Sequence, residues 1–202
     1  MRFSKSVLKF SFVIPNDLTE IIQKLPKKDQ ESFELIFRLF EQDPSLGVIR
    51  STLVPLGSYH DTVEDVFRIA YLYPQDLGEY LHKSIFELYN LVRSLPYRPD
   101  PPGLETVSRF KFTRLPWFPI RDCDDKTIPI LSWAIFHNVP CRAVVCGQRV
   151  RPHHIYPEVL LNDEWHTVDA TYSDRCRFGQ KLYGENFREE FYLKDFEKKF
   201  KK

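Results

Sequence analysis

Six residues, Arg121-Asp122-Cys123-Asp124-Asp125-Lys126, run straight into the apolar stretch from Ile128 to Val139, and this junction limits the fold more than any other part of the chain. It reads as the opening of a helix. The unpaired N–H groups of a first turn and the positive end of the helix dipole both favour an anion, so a cysteine here is placed to become a thiolate. Ile128, Leu131, Ala134 and Ile135 form the expected buried stripe, with Trp133 to one side. Pro129 lies beyond the first turn and is expected to kink the helix or force a bulge. Asn138 suits a left-handed stop, and Pro140 prevents continuation. A lone cysteine is commonly a buried structural thiol. Three acidic neighbours argue against an apolar site for Cys123, yet their charge would raise its pKa, so their carboxylates are expected to cap the helix or point away.

Beyond Pro140 the pattern turns to strands. Cys141 to Val150 reads as one, and His154 to Leu161 as another, with Ile155, Pro157, Val159 and Leu161 alternating against His154, Tyr156, Glu158 and Leu160. Asn162-Asp163 makes a turn, after which Glu164 to Asp169 pairs back as a hairpin. A thiol near neutral pH is mostly protonated and needs a base. His154 is the candidate base; His153 is its rival, because a slip of one residue exchanges the faces they occupy. Asp169 is the candidate orienter, accepting from the second imidazole nitrogen.

Asp122-Cys123-Asp124-Asp125-Lys126, the strand His154-x-Tyr156-x-Glu158-Val159 and Trp165-x-x-Val168-Asp169-Ala170-Thr171 together resemble the transglutaminase-like cysteine-protein family, a branch of the papain-like fold. The likeness spans Tyr97 to Phe178, and the segment Tyr97 to Glu105 is similar to what precedes the cysteine in small bacterial and phage-encoded members. The family usually carries Gly in place of Arg121 and Gly-Ile-Pro in place of Asn138-Val139-Pro140. The resemblance implies an α+β protein: a papain-like core with the cysteine helix on an antiparallel sheet, preceded by a helical N-terminal region. It also implies a Cys123–His154–Asp169 triad that transfers an acyl group from a protein or peptide amide through a thioester. Water is favoured as acceptor, because no calcium loop or recognition domain is visible. The alternatives are a protein-glutamine transglutaminase and a non-catalytic binding or assembly protein, of phage or cell-wall context, on the same scaffold. An oxyanion hole would combine the Cys123 N–H with an upstream aromatic donor, which implies Tyr97, with Trp117 as runner-up.

The balance of 29 basic and 28 acidic residues leaves a net charge of +1, which gives no field for nucleic acid or an anionic membrane. No run approaches the roughly 20 apolar residues of a membrane span, and the basic start Met1 to Lys9 lacks a signal-peptide core, so a cytoplasmic product is expected. Cys123, Cys141, Cys146 and Cys176 have neither the density nor the spacing of a disulfide scaffold. A zinc site from Cys141, Cys146, Cys176 and His153 or His166 has looser spacing than structural zinc sites show, and Glu158 with Asp169 is a weak acid/base pair. Neither a metal nor a cofactor is expected.

Upstream, the sequence reads as helices. A strand over residues 6–14 precedes a short helix begun at Leu18. A helix from about Asp29 carries Phe33, Ile36, Phe37 and Phe40, and ends before Asp43-Pro44. A short strand is expected from Val48 to Leu53. Thr62-Val63-Glu64-Asp65 resembles a capping box, and one long helix is expected from Gln75 to Leu95. The prolines between Pro96 and Gly103 suggest a stiff connector, which divides the chain into 1–95, a core at 96–183, and an amphipathic helix at 184–202 carrying Phe187, Phe191, Phe196 and Phe200.

Overall fold

The computed structural model describes residue 23 and residues 25–51, 59–148, 152–182 and 184–201. The strand expected over 6–14 and the helix begun at Leu18 lie outside the described residues. Helix α1 (Lys27–Gln42) buries Phe33, Ile36 and Phe40 on one stripe. Strand β1 (Gly47–Ser51) pairs antiparallel with β2 (Leu104–Ser108). A Cβ on Gly47 would come within 2.0 Å of the Val107 carbonyl oxygen, so the two strands meet there only because residue 47 has none.

Two upstream expectations are corrected. Helix α2 (Tyr59–Leu72) begins before Thr62, so residues 62–65 form no capping box. Asp65 is instead buried, with Oδ2 accepting from Arg50 Nε and Nη2 at 2.8 and 2.6 Å, because a buried carboxylate requires a cation. The long helix expected over 75–95 is two elements, a 3₁₀ segment (Pro74–His82) and α3 (Ile85–Ser94). Gly78 breaks the run at φ +57°, ψ −129°. Ser84 then restarts it with a capping box: its Oγ accepts the Glu87 N–H at 3.3 Å, and Glu87 Oε2 accepts the Ser84 N–H at 3.0 Å.

After the short α4 (Phe110–Thr113) comes the cysteine helix, α5 (Cys123–Phe136), continuous through Pro129. A four-stranded antiparallel sheet follows, formed by β3 (Cys141–Gly147), β4 (His154–Leu161), β5 (Glu164–Thr167) and β6 (Phe187–Tyr192) in the order β5-β4-β3-β6. Asn138, at φ 54°, ends α5 as expected, and Asn162 and Asp163, at 50° and 64°, make the two-residue β4–β5 turn. The tail is not one amphipathic helix. Phe187 and Phe191 sit on β6, which closes the sheet beside β3, and only α6 (Leu193–Phe200) is helical. Apolar residues four apart fit both periodicities, and the open edge of β3 decides between them.

The protein is therefore mixed α+β. Val63, Val66 and Phe67 of α2 join Ile128 and Leu131 of α5 over Ala143, Val145, Ile155 and Phe191 of the sheet. Leu77, Leu88 and Val92 meet Ile130, Trp133 and Ala134 on another flank of α5, together with Val159, Val168 and Ala170. Helix α5 is consequently buried from Asp124 to Ala134 rather than along a single stripe, as suits a helix enclosed on all sides. Trp133 belongs to that core, its Nε1 donating to the Lys83 carbonyl at 2.9 Å. Among the described residues, no helix is long and apolar enough to cross a membrane.

Candidate active site

Asp122 caps α5, its Oδ1 accepting the Asp124 N–H at 3.3 Å, and Cys123 is the first helical residue. The backbone N–H of Ile155, the second residue of β4, works to lower the Cys123 thiol against the burial and the Asp122 charge that raise it. Thr127, one turn on, donates to the Cys123 carbonyl at 2.8 Å and approaches the Ile155 carbonyl at 3.4 Å. The Cys123 end of α5 is thus laid against the start of the strand that opens with His154.

His154 Nε2 lies 2.9 Å from Asp169 Oδ2, and both residues are buried. The Thr171 N–H donates to Asp169 Oδ1 at 2.9 Å. Burial works to raise the Asp169 carboxyl, but the His154 and Thr171 hydrogen bonds outweigh it and hold the group below its usual value. With Nε2 committed to an ionised carboxylate, the imidazole can exchange a proton with sulfur only through Nδ1. His153 is exposed, and its backbone N–H donates to the Cys146 carbonyl at 3.0 Å. Glu158 does not pair with Asp169. Its carboxylate is held by Arg142 at 2.6 Å and Arg188 at 3.0 Å, on the same sheet face as Tyr156.

Tyr97 and Trp117 have different fates. Backbone bonds between Arg98 and Arg121, at 2.9 and 2.7 Å, zip the Tyr97 segment to the residues just before Cys123. Tyr97 is 37% exposed; partial burial, then the charges of Cys123 and Asp122, push its hydroxyl well up and keep it a donor. Its ring lies 4.9 Å from that of Tyr172. Trp117 is 61% exposed, with its ring edge-on to Phe118. Arg121 is fully buried, and its guanidinium donates to the carbonyls of Thr113, Pro96 and Leu115.

The acidic residues do more than cap. Burial first, and then the charge of Asp122, raise Asp124 and Asp125 well above the carboxylate range, and push Glu105 up to about 7. Asp100 is raised likewise by burial, Asp122 and Asp125. Oδ2 of Asp124 and of Asp125 are buried without a hydrogen-bond donor. Burial sets both carboxyls toward the protonated form, and the Asp122 charge beside them adds to it. Burial and then Asp122 also raise the Cys123 thiol well above its usual value, so the resting sulfur is protonated.

Among the described residues, the one group able to bring three ligand atoms together for a metal ion is Asp122, Asp124 and Asp125, within 4.8 Å of one another. The cysteines of the zinc reading are not in it. Cys141 and Cys146 are pushed up to about 12 by burial, and Cys176 to about 11. Residues that the sequence reading left without a role are Lys126 and Thr171. Lys126 and Thr171 stand inside the quoted motifs, but only coordinates show what they touch.

No family model, no curated protein and no solved structure matches this chain.

Proposed function

We propose that the protein is a cysteine-dependent acyl-transfer enzyme on a papain-like core, acting on a protein or peptide amide with water as the favoured acceptor. The observation that carries this reading is the buried His154–Asp169 pair, at 2.9 Å, in which His154 opens the strand that Thr127, one turn past Cys123, approaches at the Ile155 carbonyl. In the proposed reaction His154 Nδ1 takes the thiol proton as sulfur attacks the amide carbon. The oxyanion is held by the Cys123 N–H and the Tyr97 hydroxyl. The imidazolium, stabilised by Asp169, protonates the departing amine, and the neutral imidazole then draws a proton from the water that opens the thioester. Because the resting thiol is protonated, proton transfer belongs to the attack itself rather than to a preformed ion pair. The four free thiols suit a reducing compartment, and we place the protein in the cytoplasm.

The test is the rate of Cys123 alkylation by iodoacetamide as a function of pH. General-base assistance of the usual size makes the wild-type rate at pH 7 about 10²-fold higher than that of His154→Ala. Identical profiles would end the catalytic reading. Offering a glutamine peptide with and without a primary amine, and following amine incorporation by mass, separates transglutaminase from hydrolase. One observation favours a second reading: a thiol that burial and Asp122 keep protonated suits a scaffold used for binding or assembly. That reading expects no His154 dependence.

A further inference from the structure

We propose that Lys126 is a positioning residue, whose ammonium fixes both the Asp169 carboxylate and the Tyr97 segment against the helix that carries Cys123; the inference rests on the Cys123–His154–Asp169 reading. Lys126 lies one turn beyond Cys123 on α5 and is 1% exposed. Its Nζ donates to the carbonyls of Leu95 at 2.7 Å, Ala170 at 3.0 Å and Thr171 at 2.9 Å. An ammonium has three N–H donors, so all are spent. Burying such a charge carries a desolvation cost that an apolar chain filling the same space would avoid. The charge is accounted for by what it ties together.

Each of the three carbonyls belongs to a segment that needs fixing. Between Thr167 and Phe187 the described residues form neither helix nor strand, so Asp169, Ala170 and Thr171 have no ladder to hold them. Two of the Lys126 bonds fall on the residues directly after Asp169, and the Thr171 N–H in turn holds Asp169 Oδ1. The third falls on Leu95, the residue that ends α3, two positions before Tyr97. One side chain thereby sets the distance from the sulfur-bearing helix to the orienting carboxylate and to the candidate oxyanion donor.

The experiment compares pH profiles of Cys123 alkylation in wild type, His154→Ala, Asp169→Asn and Lys126→Met, each confirmed folded by circular dichroism. A displaced carboxylate costs on the order of 10-fold or more in rate. We expect Lys126→Met to lose at least that much at pH 7 and to shift the profile in the same direction as Asp169→Asn. Loss of stability alone would leave the profile of the folded fraction in place. If Lys126→Met does not fold, Lys126→Arg is read instead. Its planar guanidinium cannot aim three N–H groups as the ammonium does, and a smaller shift in the same direction is expected. A wild-type profile in the folded Lys126 variant, alongside altered profiles in His154→Ala and Asp169→Asn, overturns the positioning role. A wild-type profile in His154→Ala overturns the triad reading on which it rests.

Discussion

Arg121 and Glu105 show how much of the site depends on single buried charges. Removing the guanidinium in Arg121→Gly leaves the carbonyls of Thr113 and Pro96 without their donor, while that of Leu115 keeps the Phe118 N–H. At about 1–3 kcal/mol for each unsatisfied buried group, a loss of at least about 2 kcal/mol in urea unfolding at pH 7 is expected. Glu105 makes a pH-dependent case. Burial, and then Asp122, raise its folded pKa from 4.5 to about 7, so between those values the folded state holds a proton that the unfolded state has released. Its contribution to stability is full below 4.5 and is lost as pH rises through about 7. Glu105→Gln removes the titration. The stability of wild type relative to this variant should therefore fall between pH 4.5 and 8, and a constant difference in urea midpoint would contradict it.

At the scale of elements, α3 depends on its start. Ser84→Ala removes the one Oγ that both accepts the Glu87 N–H and donates to Glu87 Oε2, and should cost about 1 kcal/mol in urea unfolding. The same box, Ser84-x-x-Glu87, was a start signal in plain view, and Gly78 a matching break. Both were overridden by the helical spacing of Leu77, Leu81, Ile85, Leu88 and Val92, which two shorter elements satisfy equally well. Other elements were legible because local chemistry and periodicity agree. Asp122 caps, Asn138 stops, and Asn162-Asp163 turns a strand whose apolar residues alternate. β2 and β6 were not legible, since each is settled by a partner strand distant in the chain, Gly47–Ser51 for one and Cys141–Gly147 for the other. The His154–Asp169 pair could be named from motif order, but the Lys126 and Arg121 contacts could not, because backbone carbonyls leave no mark on a sequence.

Across the whole molecule, α5 ties the parts together. Helices before Pro96 and strands after Pro140 bury their apolar faces against it, so the stretch Pro96 to Gly103 is crossed by shared core on both flanks. Phe67 is fully buried in that core, with its ring 5.6 Å from Phe196 of α6. Phe67→Ala should cost about 3–5 kcal/mol. Because the cavity lies in core shared by α2, α5, the sheet and α6, circular dichroism and Cys123 alkylation should report one common transition at a lower urea midpoint. Two separate transitions would mean that the helical half unfolds independently of the site.

The position of β6 has a consequence for how the chain is made. Its ladder partner β3 is synthesised forty residues earlier and, until Phe187 to Tyr192 arrive, has one side unpaired, with Ala143, Val144 and Val145 between bare backbone donors and acceptors. A nascent or prematurely terminated polypeptide would carry that naked edge as a template for other chains. Loss of the last strand should accordingly yield insoluble material rather than a smaller folded protein.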